Sequence, residues 1–423
     1  MLNKLKLAIF GGHKTRKISF PKYPTITELE KKAVMDVLES GNLSTFIASP
    51  GEQFLGGKKI QEFEKKFAKY IGIKFAVAFN SATSALHAAV VAIDVKPGEE
   101  VIVPPYTFTS TATSVLMHNA IPVFADIKND TYCIDPKSIE KNITKLTKGI
   151  TAVHLFGHSC DMDEIMSIAK KNNLKVIEDC AQAPGGKYRG ANVGTIGDCG
   201  IFSFQETKNI MTGEGGMLVT DDEKIAKVTQ MIRNHGEVTS ESQEKRTYVS
   251  EILGWGYRMT ELEAALGIVQ LSKLDKFNVE RIKLANYLTE NLKSIEGLTH
   301  TKYDFVDHVY YVYGLSYDEK IIGISRNEFC KALSAEGIPF SEGYVKPLYL
   351  NPLYLERRSF AFKHYNGNAK YEKGLCPNAE NLFENKMILT SVCRPPATIE
   401  DMKDIISAIH KIIKNKNEFS INK

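Results

Sequence analysis

Lys208 stands five residues after Ser203 and five before Gly213, in the run Ser203-Phe204-Gln205-Glu206-Thr207-Lys208-Asn209-Ile210-Met211-Thr212-Gly213-Glu214-Gly215-Gly216. A primary amine so placed could carry a carbonyl compound as a Schiff base, and the hydroxyl could hold a phosphate. The glycines let the backbone turn tightly and come close to a ligand. The plainer reading is a solvated lysine before a turn, so the weight of the run depends on other groups. Asp179 closes the apolar run Lys175-Val176-Ile177-Glu178-Asp179. Its carboxylate could pair with a protonated heterocyclic nitrogen, or it could cap a loop at a strand end. Asn80-Ser81-Ala82-Thr83-Ser84 precedes an Ala-rich stretch. A helix start there is a ready anion site, although Thr83 or Ser84 could serve as an ordinary cap. Phe108, in Pro104-Pro105-Tyr106-Thr107-Phe108-Thr109, could stack on a planar ring or belong to the core. The spacing of His154, His158 and Cys160 fits no usual ligand pattern, and no metal site is expected.

These groups need a scaffold that brings them together. Thr27-Glu28-Leu29-Glu30 opens an amphipathic helix with an acidic first turn, expected to end near Gly41. A loop through Gly51 and Gly56-Gly57 follows, and a second helix is expected over about 59–70. Strand, turn and helix then alternate. The strand candidates are 75–79, 101–103, 121–125, 151–155, 175–179 and 217–219, and residues 84–93 read as a buried helix. Such alternation predicts a mostly parallel sheet with helices on both faces, and ligands gather at the C-terminal strand ends of such sheets. A long helical region is expected over about 260–295, a strand at 309–312 and a helix at 402–413. Asp179, Phe108, the start at Ser84, Ser203 and Lys208 all fall on the ligand edge of this one sheet. Together they describe a pyridoxal phosphate site. The phosphate needs a helix start and a hydroxyl, the pyridine nitrogen needs a carboxylate, and the aldehyde needs an amine.

Length and composition fit this scaffold. The chain has 423 residues, 43% hydrophobic and 25% charged, which suggests a large domain with a smaller one attached. The net charge is +4, from 54 basic and 50 acidic residues, so no case arises for nucleic acid or a membrane surface. Seven cysteines without a CxxC pair point to a reducing, cytoplasmic setting. Residues 1–24 read as a basic arm without periodicity, and the end around Lys416 reads as a solvated tail. No run approaches the roughly 18 apolar residues that a membrane span needs.

The chain resembles the DegT/StrS family of pyridoxal-phosphate sugar aminotransferases from about Ile26 to Ile412. The resemblance rests on an ordered set of runs: Ser81-Ala82-Thr83-Ser84-Ala85-Leu86; Asp126 with Asp135-Pro136; His154-Leu155-Phe156-Gly157-His158 with Asp161-Met162-Asp163; Glu178-Asp179-Cys180-Ala181-Gln182-Ala183; Ser203-Phe204 with Lys208 and Gly213-Glu214-Gly215-Gly216; Arg233-Asn234-His235-Gly236; and Tyr257-Arg258-Met259-Thr260-Glu261. It implies the aspartate-aminotransferase fold, pyridoxal-phosphate fold type I. That is an α/β architecture with a large domain around a mostly parallel sheet and a smaller C-terminal α+β domain. The implied division is an arm at 1–24, a cofactor domain at 25–275 and a small domain at 276–423. A homodimer with shared active sites is implied as well. Lys208 then matches the Schiff-base lysine, and Asp179 the partner of the pyridine nitrogen. Gln182 lies near the ring and its 3′-oxygen, and Phe108 stacks on the ring. Ala82 or Thr83, Ser84 and Ser203 hold the phosphate.

The activity so implied moves an amino group from glutamate or glutamine to a nucleotide-linked keto-sugar, for surface polysaccharide or secondary-metabolite sugars. Pyridoxamine 5′-phosphate is the form between the two halves. Three departures stand out: Gln205 where the family often has histidine, Gly256 where it usually has an asparagine reaching the partner's phosphate, and Tyr349 in Pro347-Leu348-Tyr349. Gln205 and Tyr349 resemble the branch of cyclitol aminotransferases and aminohydroxybenzoate synthases, which is the alternative activity. A regulatory relative without turnover is a further alternative. The acceptor pocket is expected from loops around 43–57 and 340–350.

Overall fold

The computed structural model describes residues 6–46, 52–238, 249–300 and 305–421. Part of the 43–57 loop expected to line the acceptor pocket, residues 47–51, therefore lies outside the described residues. Helix α1 spans Glu28–Ser40 and opens with a capping box, Thr27 and Glu30 satisfying each other's backbone. Gly41 ends it in a left-handed conformation. Helix α2, Lys58–Ile71, buries Ile60, Phe63, Phe67 and Ile71, apolar residues at helical spacing.

The central sheet has seven strands: β1 (Phe75–Phe79), β2 (Glu100–Val103), β3 (Ile121–Phe124), β4 (Thr147–Val153), β5 (Lys175–Asp179), β6 (Cys199–Ser203) and β7 (Gly216–Thr220). Their order is β1-β7-β6-β5-β4-β2-β3. Pairing is parallel from β6 through β3. Strand β7 is antiparallel to both β1 and β6. Most strands are buried along their whole length, as a sheet covered on both faces requires. Helix α3 (Ala82–Ala92) follows β1, and helix α4 (Ser110–Met117) follows β2.

Two expectations about the second half change. The helical region over 260–295 is two helices, Glu261–Leu271 and Leu274–Leu292, broken at Ser272 and Lys273. The strand expected at 309–312 is an irregular segment. Tyr310 has φ 46° there, outside the range a strand allows, while Val309 and Tyr311 donate to the carbonyls of Gly157 and Phe156 at 3.1 and 2.8 Å. The nearby strand is Tyr313–Tyr317, in a four-stranded antiparallel sheet with Leu298–Thr299, Ser341–Glu342 and Met387–Thr390. The helix expected at 402–413 is Ile399–Lys414.

The cores also divide the chain less simply than its order suggests. One cluster takes residues of 284–340 and 388–419 together with Leu7. Residues within 348–382, expected in the small domain, pack instead on the large one through Leu348, Tyr349, Tyr354, Phe362, Tyr371 and Leu382. The N-terminal arm is anchored. Arg16 is buried and pairs with Asp401 at 2.7 Å and Asp404 at 2.8 Å. Glu336 accepts from the amides of Ala8 and Thr15, each at 2.9 Å. The tail near Lys416, expected in solvent, is also packed. Phe419 is buried edge-on against Phe10, and Lys416 donates to the Ile322 carbonyl at 2.8 Å. Among the described residues no helix is long and apolar enough to cross a membrane.

Candidate active site

The C-terminal ends of β1, β2, β4, β5 and β6 share one sheet edge with the N-terminal end of antiparallel β7. Every site residue expected from the sequence lies on that edge. At the end of β5, Asp179 is 4% exposed. Its Oδ2 accepts from Thr111 Oγ1 at 2.8 Å and its Oδ1 from the Ala181 amide at 3.1 Å. Burial raises the Asp179 pKa, while Thr111, the Ala181 amide and the nearby Lys208 and His154 pull it down. A buried carboxylate with two donors and spare lone pairs is suited to a cationic N–H partner.

Lys208 sits in a loop braced on itself. The amides of Phe204, Glu206 and Thr212 donate to Gly215, Gly213 and Phe204 carbonyls at 3.0, 2.9 and 2.8 Å. The Tyr23 hydroxyl, from the arm, donates to the Lys208 carbonyl. Lys208 Nζ lies 4.3 Å from the centre of the Tyr311 ring, and among the described residues it forms no ion pair. Gln205 braces the same group. Its Oε1 accepts from Thr207 N at 2.9 Å and Thr207 Oγ1 at 2.6 Å, and Thr207 Oγ1 meets the Tyr311 hydroxyl at 2.9 Å.

The start of α3 abuts β7. Ser81 caps the helix through the Ser84 amide at 3.1 Å, and the Ser84 hydroxyl donates to Asn80 Oδ1 at 2.7 Å. The cap is thus Ser81 and not Thr83 or Ser84, and the first-turn N–H groups of Ala82 and Thr83 have no intrahelical acceptor. Ser203, at the end of β6, is buried and accepts from the Gln205 amide at 3.4 Å. Phe108 is 58% exposed, so it is not a core residue; its ring is open at this edge. Gln182 is buried and hydrogen-bonded at both ends of its amide. Its Oε1 accepts from the Phe156 amide at 2.8 Å and its Nε2 donates to the Tyr344 hydroxyl at 3.1 Å.

His154, Glu178 and Cys180 lie within 4.8 Å of one another, as a metal cluster would. Protein donors already occupy them. His154 Nε2 faces Glu178 Oε2 at 3.0 Å, and its Nδ1 accepts from the Cys160 amide at 3.0 Å. Glu178 also accepts from Gly194, Ile196 and Gly197 amides at 2.6–2.8 Å. Burial would raise the Glu178 pKa, but His154 and those amides bring it below the usual value. The pair supports the floor beneath Asp179, whose carbonyl accepts from the His154 amide at 3.0 Å.

Thr111, Tyr23, Tyr311 and Tyr344 were not singled out from the sequence. Thr111 had one available signal: it lies one helical turn after Thr107 in the run that follows β2. Tyr344 falls in the 340–350 loop expected at the acceptor pocket, whereas Tyr23 and Tyr311 had no signal, because they reach the site from the arm and from a segment after residue 300. Tyr349, one of the sequence departures, is not in the pocket. It is fully buried, donates to Glu380, and accepts from the Cys376 amide at 3.1 Å. Gly256 lies in extended pairing with Asn234, and a Cβ there would meet His235 Cε1 at 3.3 Å.

An unpaired lysine amine, a buried carboxylate, an open aromatic ring and a helix start at one sheet edge fit pyridoxal phosphate. The comparisons with known proteins agree with that fit. The model of the DegT/DnrJ/EryC1/StrS aminotransferase family matches residues 24–410. The spore coat polysaccharide biosynthesis protein SpsC of Bacillus subtilis is 37% identical, over 92% of this chain and 96% of that protein. GDP-perosamine synthase of Caulobacter vibrioides is 39% identical over 70% of this chain and 79% of its own length. L-glutamine:scyllo-inosose aminotransferase of Streptomyces griseus is 32% identical over 98% and 99%. Among solved structures, an aminotransferase from Psychrobacter cryohalolentis superposes with a TM-score of 0.83 at 32% identity, covering 94% of this chain and 99% of that one. The putative sugar aminotransferase Spr1654 of Streptococcus pneumoniae, in its PMP form, gives 0.80 at 28% identity over 96% and 100%. The chain belongs to the DegT/DnrJ/EryC1/StrS aminotransferase family and is a pyridoxal-phosphate-dependent aminotransferase.

Proposed function

We propose that the chain transfers an amino group from glutamate or glutamine to a nucleotide-linked keto-sugar, in the making of surface polysaccharide or secondary-metabolite sugars. The observation that carries this reading is Lys208, an amine with no ion pair among the described residues, whose charge acts on the buried, doubly hydrogen-bonded Asp179. The likeness to the spore coat polysaccharide biosynthesis protein SpsC and to GDP-perosamine synthase supports the sugar acceptor. A cyclitol acceptor is the second reading. It is favoured by Gln205 and by the scyllo-inosose aminotransferase, which matches nearly the whole chain. Tyr349 no longer favours it, because that side chain is inside the core.

When bound, pyridoxal phosphate supplies an aldehyde for the amine and a protonated ring that draws electrons from the donor's α-carbon. The chain's residues do the rest. Asp179 holds the proton on the ring nitrogen, and Thr111 and the Ala181 amide fix the direction of its carboxylate. Phe108 covers one face of the ring, and Gln182 stands near its 3′-oxygen. Ser203, Ser84 and the Ala82 and Thr83 end of α3 hold the phosphate. Lys208 Nζ removes the proton from the donor's α-carbon. In the opposite half of the reaction it gives a proton to the former keto carbon of the acceptor.

We also propose a homodimer with shared sites, in which α1 takes part. Its Leu29, Met35 and Leu38 are exposed apolar residues on the folded chain. A reducing, cytoplasmic setting is supported by all seven cysteines being free and buried.

The test is borohydride reduction followed by peptide mapping, with Lys208→Ala as the companion variant. The label is expected on Lys208 in the wild type. The alanine variant is expected to bind cofactor and to show no transamination; turnover near the wild-type rate would overturn the assignment. Acceptor identity follows from offering a panel of keto-sugars and keto-cyclitols to the pyridoxamine form.

A further inference from the structure

Gln205, Thr207 and Tyr311 form a hydrogen-bond chain whose direction follows from its own geometry. The Thr207 amide lies 2.9 Å from Gln205 Oε1. A backbone N–H only donates, so the Gln205 atom facing it is the carbonyl oxygen. The Thr207 hydroxyl stands 2.6 Å from that same oxygen and donates to it as well. A hydroxyl has one hydrogen, so Thr207 Oγ1 has none left for the Tyr311 hydroxyl at 2.9 Å. Tyr311 is therefore the donor of that pair, and its oxygen keeps only lone pairs for any other group. Arg394 stands near enough to interact electrostatically with Tyr311, and no hydrogen bond joins the two among the described residues.

An acceptor-only oxygen at this place selects its ligand. The Tyr311 ring meets Lys208 Nζ with its face, 4.3 Å from ring centre to amine, and leaves the oxygen at its edge to other groups. The reacting carbon must lie within reach of that amine. A ligand group that meets the Tyr311 oxygen is then carried by an atom next to the reacting carbon. In an amino acid the group so placed is a carboxylate, which also brings only lone pairs and is repelled. In a keto-sugar or keto-cyclitol the carbon next to the carbonyl carries a hydroxyl, which can donate. The oxygen therefore suits the acceptor and not the donor.

We propose that Tyr311 reads the acceptor: its oxygen takes a hydrogen bond from a hydroxyl on the carbon next to the carbonyl, so the acceptors are α-hydroxy ketones. Gln205 and Thr207 are positioning residues that set the polarity of this contact. The proposal rests on the transamination reading above and narrows its substrate class.

The test uses the holoenzyme in its pyridoxamine form and three ketones. They are 2-hydroxycyclohexanone, cyclohexanone, and 2-methoxycyclohexanone, which keeps the oxygen but has no hydrogen to give. The wild type is expected to prefer the hydroxy ketone in kcat/KM by about five- to a hundredfold, the effect of leaving an acceptor unpaired beneath a ligand. Tyr311→Phe keeps the ring that faces Lys208 and should lose that preference. Thr207→Val frees the Tyr311 hydrogen, so the methoxy ketone should gain on the hydroxy ketone, and Thr207→Ser should restore the wild-type order. Calorimetry with trans-1,2-cyclohexanediol and trans-2-methoxycyclohexanol, which cannot react, should give the same order in affinity without turnover. Equal use of the three ketones by the wild type, use of none, or an unchanged preference in Tyr311→Phe overturns the proposal. An unmoved order in Thr207→Val, or no recovery in Thr207→Ser, overturns the assigned polarity and the proposal with it. Failure of the wild type to take an amino group from glutamate or glutamine, followed by the colour of the cofactor, would sink the transamination reading instead. The titrations with the two alcohols read separately from that.

Discussion

Thr111 gives Asp179 one of its two hydrogen bonds, at 2.8 Å, and this small contact carries a measurable share of the chemistry. A hydrogen bond to a charged group is worth roughly 1.5–3 kcal/mol. Thr111→Val keeps the shape and removes the donor. Burial already raises the Asp179 pKa and Thr111 lowers it, so the variant should raise it further. Because the carboxylate must be ionised to hold the ring proton, the acid limb of the kcat profile is expected to move to higher pH. Thr111→Ser should move it back. An unmoved limb would mean that Thr111 only packs. Asp179→Asn is expected to lose most activity and part of its cofactor affinity. Its stability follows a different sign. A carboxyl whose folded pKa is raised costs stability as pH climbs through and above its unfolded value. The neutral amide should therefore melt within a few degrees of the wild type at neutral pH, and a large drop would contradict this account. At this scale the sequence was most informative about groups tied to strand ends. Lys208, Asp179, Ser203, Ser84, Gln182 and Phe108 all lie on one edge, because strand ends of one sheet are neighbours whatever loops join them. Tyr23 and Tyr311 had no such local mark; their places at the site come from contacts between segments distant in sequence.

The strands and helices were legible wherever a local pattern set them, and less so where tertiary contacts did. Strands β1 to β5 and β7 grow from short apolar runs that mark them in the sequence, with ends that differ by a few residues, whereas β6 over Cys199–Ser203 was not expected. The 309–312 segment fails as a strand because its pairing to Phe156 and Gly157 forces Tyr310 into a positive φ. Nothing in Val309-Tyr310-Tyr311-Val312 encodes that neighbour. The junction of β7 and α3 carries a sharper test. A Cβ at Gly216 would lie 2.5 Å from the Ala82 nitrogen and 2.5 Å from the Ser81 carbonyl carbon. Both are backbone atoms and cannot swing aside. Gly216→Ala must push β7 from the helix start that is proposed to hold the phosphate. Overpacking of this kind typically costs about 1–3 kcal/mol. Urea unfolding should show that loss, and cofactor should dissociate faster from the variant. Normal stability with normal cofactor retention would show that the junction has slack.

The assembled chain joins its ends to its middle. Residues of 348–382 return to the large core, and the arm and tail close over the small one. Neither was legible, since a segment without periodicity gives no sign of the surface it will cover. The proposed sharing of sites between subunits bears on Gly256. Its neighbour His235 would stand 3.3 Å from an added Cβ and has to give slightly. Gly256→Asn should then bind pyridoxal phosphate more tightly as a dimer. The ceiling is one charge-assisted hydrogen bond, about 1.5–3 kcal/mol or ten- to a hundredfold. Unchanged cofactor affinity in a well-folded dimer would show that this position faces no phosphate. Arg16 tests the arm. Removing one partner of a buried ion pair costs about 3–5 kcal/mol, so Arg16→Ala should lower stability markedly through Asp401 and Asp404. An unaffected melting curve would mean that the arm is merely draped. That arm also has a consequence for how the protein is made. Its acidic partners, Glu336, Asp401, Asp404 and Glu418, leave the ribosome hundreds of residues after Leu7 and Arg16. The segment that carries Tyr23 to Lys208 thus waits without a binding surface through most of translation, while earlier units can fold as they emerge. Closure of the site must wait for these acidic partners, and a nascent chain halted short of them would hold a lysine loop without its brace.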